Sequence, residues 1–145
     1  MNKILKFTVS LYTCMCIFTY AIGSEEYFDK GLELYKNKKY DDAKFMFERS
    51  IVFNPKDSKS YLYLAKIYNY KEDLIKEEKN LDATLLIEPS NEEAILMLMK
   101  ISLEKSNYSK VKDLSKTFTQ VCKNLCNENK KILETLANIE PKNES

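Results

Sequence analysis

Cys122 and Cys126, in the run Cys-Lys-Asn-Leu-Cys, are the residues whose type and spacing offer the most chemistry. Three residues lie between them, one more than in a redox Cys-x-x-Cys motif. The chain contains no His, so with no further thiols nearby a zinc site would lack ligands. In an oxidising compartment a close pair of this kind is expected to form a structural disulfide. One continuous helix through both would hold their Cα atoms near the upper limit of reach, so bonding requires the helix to end near Lys123. Inert thiols are the alternative state, and a reactive pair is the third.

Acid–base chemistry is poorly supplied. The missing His removes the commonest general base together with the commonest transition-metal ligand. Glu25–Glu26, Asp41–Asp42, Glu77–Glu78 and Glu92–Glu93 are adjacent carboxylates that could share a proton or a cation. Each falls at a helix start or on an exposed face, where acids complement the helix dipole. Nothing nearby supplies a matching acid, nucleophile or metal ligand. The chain is therefore read as a non-enzyme with no cofactor and no metal.

The elements that position these residues are helices. Only two Gly and three Pro occur in 145 residues, too few for the corners of an all-β fold. With 44% hydrophobic and 31% charged residues, the chain can bury one ordinary core. A formal net charge of +1 offers no field for nucleic acid or an acidic membrane.

Residues 1–23 read as a secretory signal: Lys3 and Lys6, the uncharged run Phe7–Ile22, then Ala21-Ile22-Gly23 as a small-residue cleavage site before Ser24. Cleaved export, to a bacterial periplasm or cell envelope, is the expectation. An uncleaved membrane anchor at residues 7–22 is the alternative, although 16 residues fall short of the ~20 that span a bilayer as a helix. Lipidation at Cys14 or Cys16 is a third reading, weakened because Thr13 and Met15, not small residues of the lipidation type, precede them.

A 34-residue step relates Pro55 to Pro89, Gly31 to Ala65 and Met99, and Tyr40 to Leu74 and Tyr108. It divides the chain into residues 24–57, 58–91 and 92–125. Each unit carries two stretches with apolar residues at i, i+3, i+4 and i+7, the signature of two amphipathic helices. Lys38-Lys39, Lys71-Glu72-Asp73 and Ser106-Asn107 are the turns between them. An apolar stripe of Ile132, Leu133, Leu136, Ala137 and Ile139 then predicts a capping helix over 126–139, with Asn127 as N-cap. Residues 140–145 read as a disordered tail.

The first unit resembles a tetratricopeptide repeat (TPR) along its whole length. Tyr27, Gly31 and Tyr35 stand at that family's helix A positions, and Tyr40, Ala43, Phe47 and Pro55 at its helix B and terminal positions. Gly31 and Ala43 let two helices approach closely, while the aromatics fill the space around their crossing. The second unit keeps Tyr61, Leu64, Ala65, Tyr68 and Pro89. It places Glu77 and Thr84 where small residues are expected, which predicts a shifted or splayed helix B. The third keeps Leu98, Tyr108 and Val111, but Met99, Ser115, Phe118 and Lys123 depart from the pattern.

The resemblance implies an all-α fold, an α-α superhelix of three helical hairpins plus a C-terminal capping helix. It implies a binding scaffold whose concave face is lined by helix A residues. By position these are Phe28, Leu32, Tyr35 and Lys36, then Leu62, Lys66, Asn69 and Tyr70, then Leu96, Lys100 and Leu103. The partner implied is another protein or peptide, with apolar anchors and some acidic groups. Homo-oligomerisation through the same apolar face is the alternative. Nucleic acid is not implied, and a membrane only through an uncleaved N-terminal segment. The family's carboxylate-clamping Lys and Asn are replaced by Phe28 and Leu32, which disfavours that activity.

Overall fold

The computed structural model describes residues 23–139. The signal or anchor reading of residues 1–22 and the tail reading of 140–145 lie outside the described residues. Among those described, seven helices and no strand are present. They are α1, helical over residues 23–36; α2, Tyr40–Phe53; α3, Ser58–Tyr70; α4, Leu74–Ile87; α5, Glu92–Glu104; α6, Tyr108–Val121; and α7, Cys126–Ile139.

The 34-residue period is kept residue for residue in the backbone. The helices α2, α4 and α6 each begin and end 34 positions apart, as do α3 and α5. Lys38, Glu72 and Ser106, again 34 apart, are the non-glycine residues with positive φ among those described, at 59°, 57° and 54°. Each closes the preceding helix with the same pair of bonds. Lys39 N donates to Leu34 O at 2.9 Å and Lys38 N to Tyr35 O at 2.9 Å. Asp73 N–Tyr68 O and Glu72 N–Asn69 O repeat the pair, as do Asn107 N–Ser102 O and Ser106 N–Leu103 O. This is the Schellman closure, which ordinarily places glycine at the left-handed position.

The chain forms two compact units, one ending at Ile67 and one beginning at Tyr68. In the first, Phe47 is fully buried beside Gly31. A Cβ built on Gly31 would lie 2.8 Å from the Phe47 ring, so only glycine admits that ring at the crossing. A hydroxyl network closes the same unit: Ser50 Oγ lies 2.8 Å from both Ser24 O and Asp57 Oδ2, and its single proton serves one of these acceptors at a time. In the second unit Ile95, Leu96, Met99, Val111, Phe118, Ile132 and Leu136 make one core between α5, α6 and α7. Met99, Ser115 and Phe118, which depart from the repeat pattern, are all buried there.

Helix α4 keeps the register of the repeat, which corrects the expectation of a shifted element. It stays in register although Glu77 is only 1% exposed, because Asn69 Nδ2 reaches both carboxylate oxygens at 3.1 and 3.2 Å. Thr84, also buried, returns its hydroxyl to Asn80 O at 2.9 Å. Asn127 is not the cap of α7, since the helix has already begun at Cys126.

Candidate functional site

In the first unit the helix A side of α1 and α3 carries a continuous set of rings. Phe28 lies 5.7 Å from Phe47 and 5.8 Å from Tyr63, centroid to centroid. Tyr35 meets Tyr63 edge-on at 5.1 Å and Tyr40 at 5.4 Å. Edge-to-face and offset pairs of this spacing hold rings in fixed orientation. Lys66 Nζ stands 4.5 Å over the Tyr63 ring, and Lys59 Nζ 5.9 Å over Phe28. Phe28, Tyr35 and Tyr63 are half-buried, so the cluster is supported from behind by Phe47 and reaches the surface in front. A hollow of about 430 Å³ adjoins it, lined by Glu25, Asp29, Asp57, Lys56 and Lys59 beside Phe28.

The remaining expected residues of this unit divide. Leu32 is half-buried and Lys36 exposed, but Leu62 is only 8% exposed and belongs to the core. In the second unit Leu96, at 6%, is likewise a core residue. These two corrections have one cause. The solvent-facing stripe of α3 runs through exposed Lys59, half-buried Tyr63 and Lys66, and exposed Tyr70, spaced i, i+4, i+7 and i+11. Leu62 lies one residue, or about 100° of helix rotation, off that stripe. Tyr63 and Lys59 were missed, although the stripe's own spacing carries the signal.

In the second unit Lys100 and Leu103 come together with Ile132, Lys131, Glu128 and Glu104 around a hollow of about 360 Å³ between α5 and α7. Lys131 Nζ pairs with Glu128 Oε1 at 2.6 Å, and that hydrogen bond, with Lys100 nearby, holds the Glu128 carboxyl below its usual range. Leu103 and Ile132 supply apolar lining beneath these charged heads. Tyr70 is 66% exposed, whereas the Asn69 amide is committed to Glu77. Burial raises the Glu77 carboxyl above its usual range; the Asn69 bond opposes this and the charge of Glu104 adds to it.

Cys122 and Cys126 form a disulfide with Cα atoms 5.4 Å apart, after α6 has ended at Val121. The turn it closes is held by Glu92, whose carboxylate accepts from Lys123 N and Leu125 N at 2.8 Å and from Asn124 N at 3.1 Å. Those bonds, led by Leu125, lower the Glu92 carboxyl below its usual range. Among the described residues no cluster of three His, Cys, Asp or Glu could hold a metal ion, and no described helix is long and apolar enough to cross a membrane.

No protein-family model matches the sequence, and no curated protein matches it. Solved structures do. The first TPR domain of Spaghetti (RPAP3), bound to an HSP90 peptide, is 18% identical with a TM-score of 0.68, covering 79% of this chain and 96% of that one. The Yersinia enterocolitica type III secretion chaperone SycD, in complex with a peptide of the translocator YopD, is 15% identical with a TM-score of 0.72, covering 81% and 94%. The TPR2B domain of yeast Sti1, in a complex with Hsp70, is 11% identical with a TM-score of 0.73, covering 81% and 98%. The chain has the all-α fold of tetratricopeptide-repeat domains.

Proposed function

We propose that this chain is a non-catalytic adaptor that holds a peptide segment of another protein against its helix A surface. The observation that carries the reading is the ring cluster of Phe28, Tyr35 and Tyr63 with Lys59 and Lys66 over it. Rigid half-buried rings supply apolar contact at little entropic cost, and adjacent ammonium groups favour acidic side chains. The Lys100–Leu103–Ile132 hollow sets ammonium groups beside aliphatic surface in the second unit, together with Glu104 and Glu128. Peptide complexes of the structurally similar Spaghetti, SycD and Sti1 domains support the general mode. The sequence pattern of residues 1–23 supports export, to a periplasm or cell envelope, as the setting.

Selection from a displayed peptide library tests this. The expected winners pair apolar or aromatic residues with Asp or Glu, and lose binding to Tyr35→Glu and Lys66→Glu proteins of unchanged helicity. If the winners bind those variants as well as the parent, the adaptor reading of this surface fails. Light scattering on the same samples addresses self-association through this face. A dimer dissolved by Tyr35→Glu would favour the homo-oligomer instead.

A further inference from the structure

Cys122 and Cys126 share a bond but not an environment. Cys122 follows α6 and packs, half-buried, against the core between α5, α6 and α7, whereas Cys126 opens α7 and is exposed. A thiolate attacks a disulfide at the sulfur it can reach, and the other sulfur leaves. Here the accessible residue is Cys126, which makes Cys122 the leaving one. The turn between them does not depend on the bond. Its three amides donate to the Glu92 carboxylate, and none of those hydrogen bonds involves a sulfur. After the bond opens, the two sulfurs therefore stay near one another, and α7 keeps its own anchor in Ile132 and Leu136. A sequence separation of 4 also restrains the unfolded chain less than a long loop would.

A second observation, independent of the sulfurs, lies on the same turn. Asn129 is 8% exposed, and among the described residues its Oδ1 is the buried side-chain polar atom that has no hydrogen-bond partner. The orientation of the amide is fixed. The Thr119 hydroxyl gives its proton to Ser115 O at 2.8 Å, so Thr119 Oγ1 accepts from Asn129 Nδ2 at 3.3 Å and Oδ1 points away from Thr119. Thr119 lies three residues before Cys122 on the last turn of α6, and Asn129 three residues after Cys126 on the first turn of α7. A helical side chain leans toward its helix N-terminus, which for Asn129 is the turn closed by the disulfide. Buried acceptors are rarely left unsatisfied. In the disulfide neither sulfur carries a proton to donate; in the thiol each does.

We propose that the pair is an exchangeable thiol site, in which Cys126 takes up a small thiol as a mixed disulfide and Asn129 receives the thiol released at Cys122. The incoming thiolate bonds to Cys126 Sγ as the Cys122–Cys126 bond breaks, and the electron pair of that bond leaves on Cys122 Sγ. The Cys122 thiolate takes a proton from solvent, and its S–H donates to Asn129 Oδ1. A second small thiolate then attacks the sulfur of the bound small thiol. It carries that molecule away as a symmetrical disulfide and leaves Cys126 as a thiolate, so two small thiols have passed two electrons to the pair. The reverse sequence closes the disulfide again. The inference does not rest on the peptide-binding reading.

Full-length protein carrying Cys14→Ser and Cys16→Ser leaves this pair as the only cysteines, and glutathione serves as the probe. Samples equilibrated across mixtures of reduced and oxidised glutathione are quenched in acid, alkylated and weighed by mass spectrometry, with helicity followed in parallel. The expected result is reversible opening of the disulfide with helicity retained. In the same background, oxidised glutathione should modify a Cys122→Ser protein at least about tenfold faster than a Cys126→Ser protein. Asn129→Leu, which removes the acceptor, should need a mixture about threefold more reducing to open. Leu136→Ala weakens the docking of α7 without touching the amide and should not produce that displacement. A disulfide that opens only as helicity is lost would overturn the proposal. So would faster modification of Cys122, an Asn129→Leu midpoint equal to the parent's, or an equal displacement by Leu136→Ala.

Discussion

Glu77 shows how one residue can break a pattern without breaking the fold. The repeat expects a small side chain there, and a carboxylate is buried instead, with Asn69 as its hydrogen-bond donor and Glu104 as a like charge. Burial raises its folded pKa above the unfolded value. The sign follows: its contribution is fully present below the unfolded pKa and is lost as pH rises through the raised folded value. Glu77→Gln keeps the shape and removes the titration. Its melting temperature should match the parent near pH 4 and exceed it progressively toward pH 7; a constant difference would contradict the burial account. Gly31 is the opposite case, a residue that obeys the pattern for steric reasons. Gly31→Ala gains about 1 kcal/mol of helix propensity, but its methyl would meet the Phe47 ring at 2.8 Å. Overpacking of this kind costs about 1–3 kcal/mol, so denaturant melts should show net destabilisation.

Among the elements, the turns hold the most accessible stability. Lys38, Glu72 and Ser106 sit in the left-handed region that costs a side-chain-bearing residue about 1–2 kcal/mol. Replacing any of them with Gly should raise stability by about 0.5–1 kcal/mol in chemical denaturation, since the Schellman bonds are already in place. The last inter-repeat turn is built differently. Pro55 and Pro89 end the first two repeats and Asp57 and Asn91 cap the helices that follow, through bonds to Ser60 N and Ala94 N. Lys123 and Leu125 occupy the matching positions, and the Glu92 carboxylate and the disulfide do that work instead. A loop this short confers about 2 kcal/mol by restricting the unfolded chain. Reduction should therefore lower the melting temperature while leaving α7 docked through Ile132 and Leu136. Reduction of Glu92→Ala should cost more than the two changes added separately, because both restrain one turn. Additive losses in a four-way melting comparison would refute that coupling.

For the molecule as a whole, the fold was legible because its signal is repeated. Pro55 and Pro89, the Gly31–Ala65–Met99 series and the three polar turns all state one period, and the helices keep it. The candidate site was less legible, because a surface stripe carries no such redundancy. A one-residue offset placed core Leu62 and Leu96 outside and passed over Tyr63. Glu92 was read as a helix-start acid, and its reach to residues 123–125 depends on packing that no local pattern announces. Charge adds a constraint on the partner. The full chain carries 23 basic and 22 acidic residues, and without Lys3 and Lys6 the balance is 21 against 22, or −1. No long-range field remains, so any electrostatic attraction must come from local heads such as Lys59, Lys66 and Lys100. Local pairs at an exposed rim are worth at most about 1 kcal/mol each. Affinity for a selected peptide should thus fall by less than about tenfold between 50 and 500 mM salt. A nucleic-acid ligand neutralising several phosphates would lose on the order of a thousandfold or more even by 200 mM. Titration of one fluorescent peptide across that series distinguishes the two, and a steep log–log slope would contradict an aromatic-anchored peptide site.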